Sequence, residues 1–457
     1  MSAFPDLVIL LPGITGSVLA DSRRREVWGH SPGAIWRAIT SGGGTIEALE
    51  LAEDGDPNGV TATRLIPGIT IIPRLIKIDG YAAIERFLVR ELKLEPGRNF
   101  LTFPYDWRLD NRLNARRLED KALNALREWR SRSGNNEARL VLIGHSMGGL
   151  ISRYFLECLG GWHHTRTLIT LGTPHWGSLN ALDFLVHGMK KGIGPLGLDL
   201  TPLLRSFPSV YQLLPNYPCV DVGDRSLQGV ADAVRNAHIP NVDEIRARDS
   251  LAFHAEIEDA RKSNAKESAY FDRGYRMVPL VGIEQPTLQS ARCQSGKVEL
   301  LRSLNGQDHG GDGTVPRVSA TPLELVDQDR EMFAAQIHGS MQNSREVLAS
   351  VKGVLTQPEV SLKRLRHAGL GVDLTLDIED VVAPGEPLTV RARVSEGNPR
   401  LTVELTNTQT NETQTDFLSR SGDWYEGEFE PPPGIWRVTV SAPDASPVSD
   451  LTVVAGP

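Results

Sequence analysis

Short apolar runs recur along the first three-quarters of the chain, separated by stretches whose apolar residues fall at helical spacing. Leu7-Val8-Ile9-Leu10-Leu11, Phe100-Leu101-Thr102-Phe103, Val141-Leu142-Ile143, Thr167-Leu168-Ile169-Thr170-Leu171 and Met277 to Ile283 read as buried strands. Between them lie helical patterns. Ile84, Phe87, Leu88 and Leu92 mark one from Tyr81 to Leu94, and Leu113, Leu118, Ala122, Leu126 and Trp129 mark a basic one from Asn111 to about Ser131. A third starts after Ser146, and a last one runs from about Arg345 to Val354. Strands alternating with helices at this interval predict a mostly parallel sheet with helices on both faces.

Two segments break the rhythm. Residues 21–75 are poorly patterned, with Trp36 and the run Gly42-Gly43-Gly44, and read either as a lid or substrate-shaping insertion or as an irregular surface excursion. Residues 178–270 mix Phe184, Leu185, Met189, Leu196 and Leu198 with Pro and Gly, which predicts an inserted helical cap. The last 87 residues, 371–457, change period altogether. Leu374 and Leu376 alternate with polar residues, as do 388–394, 401–405 and 436–440, with Pro/Gly turns between them. That pattern predicts an antiparallel β-sandwich of immunoglobulin-like type, separate from a first domain of residues 1–360.

Charge supports the division. From Gly371 onwards there are five Arg, no Lys and fifteen Asp or Glu, so this tail is more acidic than the whole chain at −8. A net charge of −8 argues against nucleic acid as a partner, because phosphate contacts need a basic face. Three widely spaced cysteines suit a reducing compartment rather than a disulfide framework. With no basic leader before Leu7 and no apolar run of membrane-spanning length, the expectation is a cytoplasmic protein.

Candidate chemistry centres on Gly144-His145-Ser146-Met147-Gly148, where a strand turns sharply into a helix. In such a Gly-x-Ser-x-Gly elbow the serine hydroxyl stands clear of the sheet, and the N–H of the next residue, Met147, points at a developing oxyanion. The turn Pro12-Gly13-Ile14-Thr15-Gly16 after the first strand offers a second donor, the N–H of Ile14. A serine needs a base and the base an orienting acid; in this fold both follow the serine along the chain. Asp312 in Gly310-Gly311-Asp312-Gly313 and His338 fit that order, with His145, His175 and His309 as weaker competitors for the base. No metal or other cofactor is required, and no cluster at ligand spacing asks for one.

The ordered set Leu11-Pro12-Gly13-Ile14-Thr15-Gly16-Ser17, Val27-Trp28, Pro104-Tyr105-Asp106-Trp107-Arg108, Gly144 to Gly149, Gly172-Thr173-Pro174, Phe207 to Pro215, Gly311 to Pro316 and His338 resembles the lecithin:cholesterol acyltransferase-like family of phospholipases and acyltransferases. The resemblance implies an α/β-hydrolase fold, Ser146 as nucleophile, Asp312 as acid, His338 as base, and Ile14 and Met147 as oxyanion donors. It implies a fatty acyl ester as substrate, a glycerophospholipid above all. The family's secreted animal members close an N-terminal lid with a disulfide, whereas this chain has no Cys before Cys158, and the acidic tail lies outside the resemblance. A lipid acyl hydrolase or acyltransferase is therefore expected, against a carboxylesterase on soluble esters or an inert hydrolase-fold scaffold. Phe184, Leu185, Met189, Leu196 and Leu198 with Lys190 and Lys191 are candidates for peripheral membrane contact, and the tail for binding a protein partner.

Overall fold

The computed structural model describes residues 4–455 apart from 30–48, 52–56, 69, 73–75, 189, 192–197, 200, 224–225, 326–331, 357–373, 384, 396 and 444. Trp36, the glycine run 42–44, Met189, Leu196 and the expected domain boundary at 361–370 fall outside the described residues.

Six strands form the central sheet: β1 (Leu7–Leu11), β2 (Phe100–Thr102), β3 (Leu140–His145), β4 (Thr165–Leu171), β5 (Arg276–Gly282) and β6 (Met332–Ala334). Their order is β6-β5-β4-β3-β1-β2, and every pairing is parallel. Helices α1 (Ala82–Leu92), α2 (Asn111–Ser133), α3 (Met147–Cys158), α4 (Leu179–His187), α5 (Glu244–Asn264) and α6 (Arg345–Thr356) accompany it.

The apolar runs are continuous because both faces of the sheet are covered. Val8, Leu10, Val141 and Ile143 face one core with Ile84 and Leu88 of α1 and Val347 and Val351 of α6. Their neighbours Leu7, Ile9, Leu140 and Leu142 face the other with Leu118 and Leu126 of α2 and Leu150 of α3. Alternate residues of a strand point to opposite faces, so a strand buried on both sides has no polar period. β6 carries no such run, which is why its residues gave no strand signal.

The helix α2 departs from its expected face at one end. Leu113 is exposed, while Asn111 and Asn114 are buried. The Asn111 N–H donates to the Gln212 side-chain oxygen at 2.8 Å, and Asn114 Nδ2 donates to the Asp106 carbonyl at 2.9 Å. The first turn is thus held by polar contacts rather than by apolar packing. Nor is 178–270 purely helical. Short strands Val220–Asp221 and Leu227–Gln228 join Ser290–Gln294 and Lys297–Leu301 in one four-stranded sheet, and half of that sheet lies beyond the expected cap. The helix α5 runs against α3, with Phe253 stacked on Tyr154 at 5.6 Å. Phe184 and Leu185 are buried, and Met189 and Leu196, with the side chains of Lys190, Lys191 and Leu198, lie outside the described residues. Among the described residues no helix is long and apolar enough to cross a membrane.

Beyond residue 373 two sheets face each other. The first is β7 (Leu374–Ile378), β9 (Leu388–Val394), β13 (Trp424–Phe429) and β12 (Ser419–Ser421). The second is β8 (Val381–Val382), β15 (Val448–Val454), β14 (Gly434–Ser441), β10 (Thr402–Asn407) and β11 (Thr413–Phe417). Leu376, Val390 and Ala392 of one sheet meet Val403, Leu405, Trp436 and Val438 of the other in a separate core. Trp436 is fully buried, and its indole N–H donates to the Pro432 carbonyl at 2.8 Å.

This β-unit is docked on the first by polar contacts of defined geometry. Arg437 clasps Asp79 through both terminal nitrogens, at 2.9 and 2.5 Å. The Gln285 side chain donates to the Leu374 carbonyl and accepts from the Leu376 N–H, at 3.1 and 3.3 Å, and so pairs with β7 as a strand would. Gln336 donates to the Pro447 carbonyl at 3.0 Å. A double-mutant cycle on Asp79→Ala and Arg437→Ala, read by urea unfolding, should give a coupling of about 1 kcal/mol. Additive effects of the two substitutions would show that the pair does not secure the docking.

Candidate active site

The strand order places the site. The chain runs from β1 to β2 on one side and then to β3 on the other, so the loops leaving β1 and β3 diverge at the carboxyl edge of the sheet. Such switch points leave a crevice. Gly13 and Ile14 follow β1, and Ser146 follows β3.

Ser146 takes φ +52° and ψ −125°, a conformation costly for any residue with a Cβ, and α3 starts at the next residue. The turn closes because small residues surround it. A Cβ on Gly148 would lie 2.4 Å from the Pro12 carbonyl oxygen, so only glycine lets α3 approach the loop after β1. At Gly172, with φ +55°, a Cβ would meet an Asp312 carboxyl oxygen at 2.7 Å.

His338 lies between the two other expected residues. Its Nε2 is 2.9 Å from Ser146 Oγ and its Nδ1 is 2.7 Å from Asp312 Oδ2. Asp312 is buried, and its other oxygen accepts the N–H groups of Thr314 and Val315 at 3.0 and 2.7 Å. The His338 N–H donates to the Asp312 carbonyl at 2.8 Å, which ties the two loops together by backbone as well as side chain. Ile14 lines the cleft over Ser146; Met147 is buried at the first position of α3. His175 is half-buried beside Arg153 and His254, in a cavity that does not include Ser146, and desolvation pushes its pKa well down. The His309 N–H donates to Gln289, distant from the serine in the hydrogen-bond network.

His145 has a different role. The Gly13 N–H donates to Tyr81 Oη at 2.7 Å, and that hydroxyl lies 2.8 Å from His145 Nδ1. The His338 carbonyl can only accept, so in a neutral ring the proton sits on His145 Nε2 and Nδ1 accepts from the Tyr81 hydroxyl. His145 Nε2 is 3.0 Å from the His338 carbonyl and donates to it. This proton arrangement requires a neutral ring. Full burial, reinforced by the nearby His338, depresses the His145 pKa to about 3, in agreement. One relay of hydrogen bonds thus joins the loop after β1, the elbow and the His338 loop.

Among the described residues no three His, Cys, Asp or Glu side chains gather at metal-binding distance. The cleft encloses about 320 Å³, its walls including Ile14, Ser146, Phe184, Val210, Leu213 and His338.

Residues 72–264 match the family model of lecithin:cholesterol acyltransferase. A lecithin-cholesterol acyltransferase-like protein of Arabidopsis thaliana is 25% identical over 239 residues, which is 45% of this chain and 42% of that one. That match covers less than half of the chain, and over it the chain is similar to the lecithin:cholesterol acyltransferase-like family. An uncharacterized protein of Saccharomyces cerevisiae is 26% identical over 168 residues, 36% of this chain and 23% of its own length. The chain therefore spans less than half the length of these two curated relatives. Among solved structures, the mature lipase BlEst2 of Bacillus licheniformis is 14% identical, covering 78% of this chain and 94% of its own, at a TM-score of 0.35. Phospholipase PlaB of Legionella pneumophila is 12% identical, covering 84% and 89%, at a TM-score of 0.25. Scores this low carry no weight for fold or function.

The family match includes Ser146 but stops before Asp312 and His338. Several family motifs prove to be supports of the loop after β1. In Pro104 to Arg108, Tyr105 Oη donates to the Pro12 carbonyl at 2.8 Å and Trp107 Nε1 to the Ser17 carbonyl at 3.3 Å. Arg108, fully buried, pairs with Asp106 at 2.7 Å and donates to the Leu49 carbonyl. Trp28 Nε1 donates to the Thr15 carbonyl at 3.0 Å and its ring meets Trp107 edge-on. Tyr81 and Gln285 went unrecognised because neither sits in a spacing pattern; each acts through residues far away in the chain.

Tyr81→Phe removes the shared hydroxyl and leaves two buried groups without it, so stability should fall by about 1–3 kcal/mol in urea unfolding. An unchanged midpoint would refute the relay. The depressed His145 pKa also has a pH signature. Below the ordinary value of 6.5 the unfolded chain takes up a proton that folded His145 refuses until about pH 3, so its contribution to stability is lost as pH falls through that window. His145→Asn should therefore flatten the acid limb of the stability curve by about 1.4 kcal/mol per pH unit. Parallel acid limbs in variant and wild type would contradict this.

Proposed function

We propose that the protein is a serine-dependent lipid acyl hydrolase of the phospholipase A or lipase type, with an α/β-hydrolase domain over residues 1–360 and an immunoglobulin-like domain over 371–457. The observation that carries the chemistry is the position of His338, within hydrogen-bond distance of both Ser146 Oγ and Asp312 Oδ2. A hydroxyl aligned on an imidazole, itself oriented by a buried carboxylate, is the arrangement that acyl transfer through an acyl-enzyme requires.

In the proposed cycle Ser146 Oγ gives its proton to His338 Nε2 as it bonds to the acyl carbon. The carbonyl oxygen takes the negative charge and is held by the N–H groups of Ile14 and Met147. Collapse breaks the ester bond, and the leaving alcohol takes the proton from His338 Nε2. Water, activated by the same nitrogen, then releases the fatty acid and restores the serine; an acceptor alcohol in place of water would make the protein an acyltransferase. Asp312 orients His338 throughout. The family similarity over residues 72–264 and the apolar wall of Phe184, Val210 and Leu213 support a fatty acyl substrate. The free thiols of Cys158, Cys219 and Cys293 suit a cytoplasmic setting.

Purified wild type incubated with mixed phospholipid vesicles should yield free fatty acid and lysolipid by mass spectrometry. Ser146→Ala should lower kcat by about 10⁴-fold or more, and His338→Ala similarly. Serine-dependent cleavage of short-chain esters with no vesicle product would instead give the soluble carboxylesterase. Undiminished turnover by Ser146→Ala would refute the mechanism.

A further inference from the structure

The cleft over Ser146 is not built by the first unit alone. Leu376, Asp377, Ile378, Asp380 and Asp450, all from the C-terminal β-unit, line it together with Ser146 and His338. They come from β7, the turn into β8, and β15. We propose that this β-unit forms the wall of the substrate cleft that receives the alcohol side of the ester, and that it selects substrates by their leaving group. The inference rests on the serine-hydrolase reading given above.

The argument runs from the proton. His338 Nε2 hands its proton to the departing alcohol oxygen, so the alcohol lies beside the His338 loop, whichever ester is cleaved. That loop is the part of the site seated on the β-unit. Ile337, adjacent to His338, packs against the sandwich core, and Gln336 donates to the Pro447 carbonyl at 3.0 Å. The Gly339 carbonyl accepts the N–H of Asp79, whose carboxylate Arg437 clasps. On the acid side, the Gln285 N–H donates to the Gly311 carbonyl, next to Asp312, while the Gln285 side chain pairs with β7. The β-unit is therefore fastened to the loops of both His338 and Asp312, and its residues complete the cleft between them. The apolar residues Phe184, Val210 and Leu213 come from a different part of the chain, after β4, and are left for the acyl side.

Two substitutions on this wall separate the idea from general disruption. Ile378 and Asp377, both half-buried at the end of β7, line the cleft, and Asp377 pairs with Arg391 at 3.8 Å. Ile378→Trp and Asp377→Trp, in the full chain, are compared with wild type on two series of esters. One fixes a dodecanoyl group and varies the alcohol from methanol to glycerophosphocholine; the other fixes the alcohol and varies the acyl chain. Circular dichroism melting reports on the fold of each variant. The expected result is that the kcat/KM ratio of bulky to small alcohol falls by about 10-fold or more in at least one variant, while the acyl-length profile keeps its shape. A leaving-group ratio equal to wild type in both variants, or a shift confined to acyl length, overturns the proposal. Ser146→Ala, run in parallel, distinguishes the two readings: if it turns over either series normally the hydrolase mechanism itself fails, whereas an inactive Ser146→Ala with unchanged leaving-group ratios overturns the wall alone.

Discussion

The structure depends on holding Ser146 in a backbone conformation that it would not choose. At φ +52° a residue with a Cβ is strained by about 1–3 kcal/mol, and the strain persists only where the surroundings leave no alternative. Here β3 fixes the chain on one side, α3 starts at once on the other, and the Ser146 N–H donates to the Leu171 carbonyl at 2.8 Å. Gly148 and Gly149 leave room for Pro12 and Thr173 to press against the turn, Gly144 leaves room for the backbone of Gly149, and the Thr173 hydroxyl donates to the Ser146 carbonyl. The outcome is a buried serine that still lines the cleft.

What keeps the neighbouring loops in register with that serine is mostly hydrogen bonding to backbone. The loop after β1 cannot be packed like a core, because its N–H and C=O groups must be satisfied. Tyr105, Trp107, Trp28 and Tyr81 bring large apolar bodies into the core and each spends its one polar group on that loop or on its neighbour Ser17. His145 extends the same logic to His338. A neutral imidazole can donate and accept at once, and burial keeps it neutral, so a residue inside the Gly-x-Ser-x-Gly motif serves as a rivet between two loops rather than as a base.

The degree to which this was legible follows from the range of each signal. The strands β1, β3, β4 and β5 were readable because burial on both faces leaves mostly apolar runs, unbroken over all five residues of β1, and α1 and α6 because one face repeats. β6, with three residues and an exposed Phe333, had no such signature. In the site, Ser146 announces itself by the local geometry of the elbow, while Asp312 and His338 were proposed from chain order, and they meet the serine in space. Tyr81 was read only as the start of a helix, since nothing within a few residues of it betrays a bond to Gly13, 68 positions earlier. Asn111 and Asn114 mark the opposite failure: a helical period counts apolar residues and so misses a turn buried through its amides.

The acidic tail shows why a boundary legible in composition need not be a boundary in function. Its change of period and of charge separate it from the parallel sheet, and its core is its own. Yet the contacts that dock it are not spread evenly over the surface of the first unit. Gln285 leads from β5 to the turn that carries Asp312, Gln336 and Ile337 immediately precede His338, and Asp79 holds Gly339 immediately after it. A β-unit fastened at these points constrains the two loops that have the least secondary structure of their own. Parallel sheets present their sites on loops at the carboxyl edge, and the later loops must be steadied by something other than the sheet. In this chain the first loop is steadied by aromatic residues from within the domain. The last two are steadied from outside it, so that the folding of the tail and the geometry around His338 form one problem rather than two.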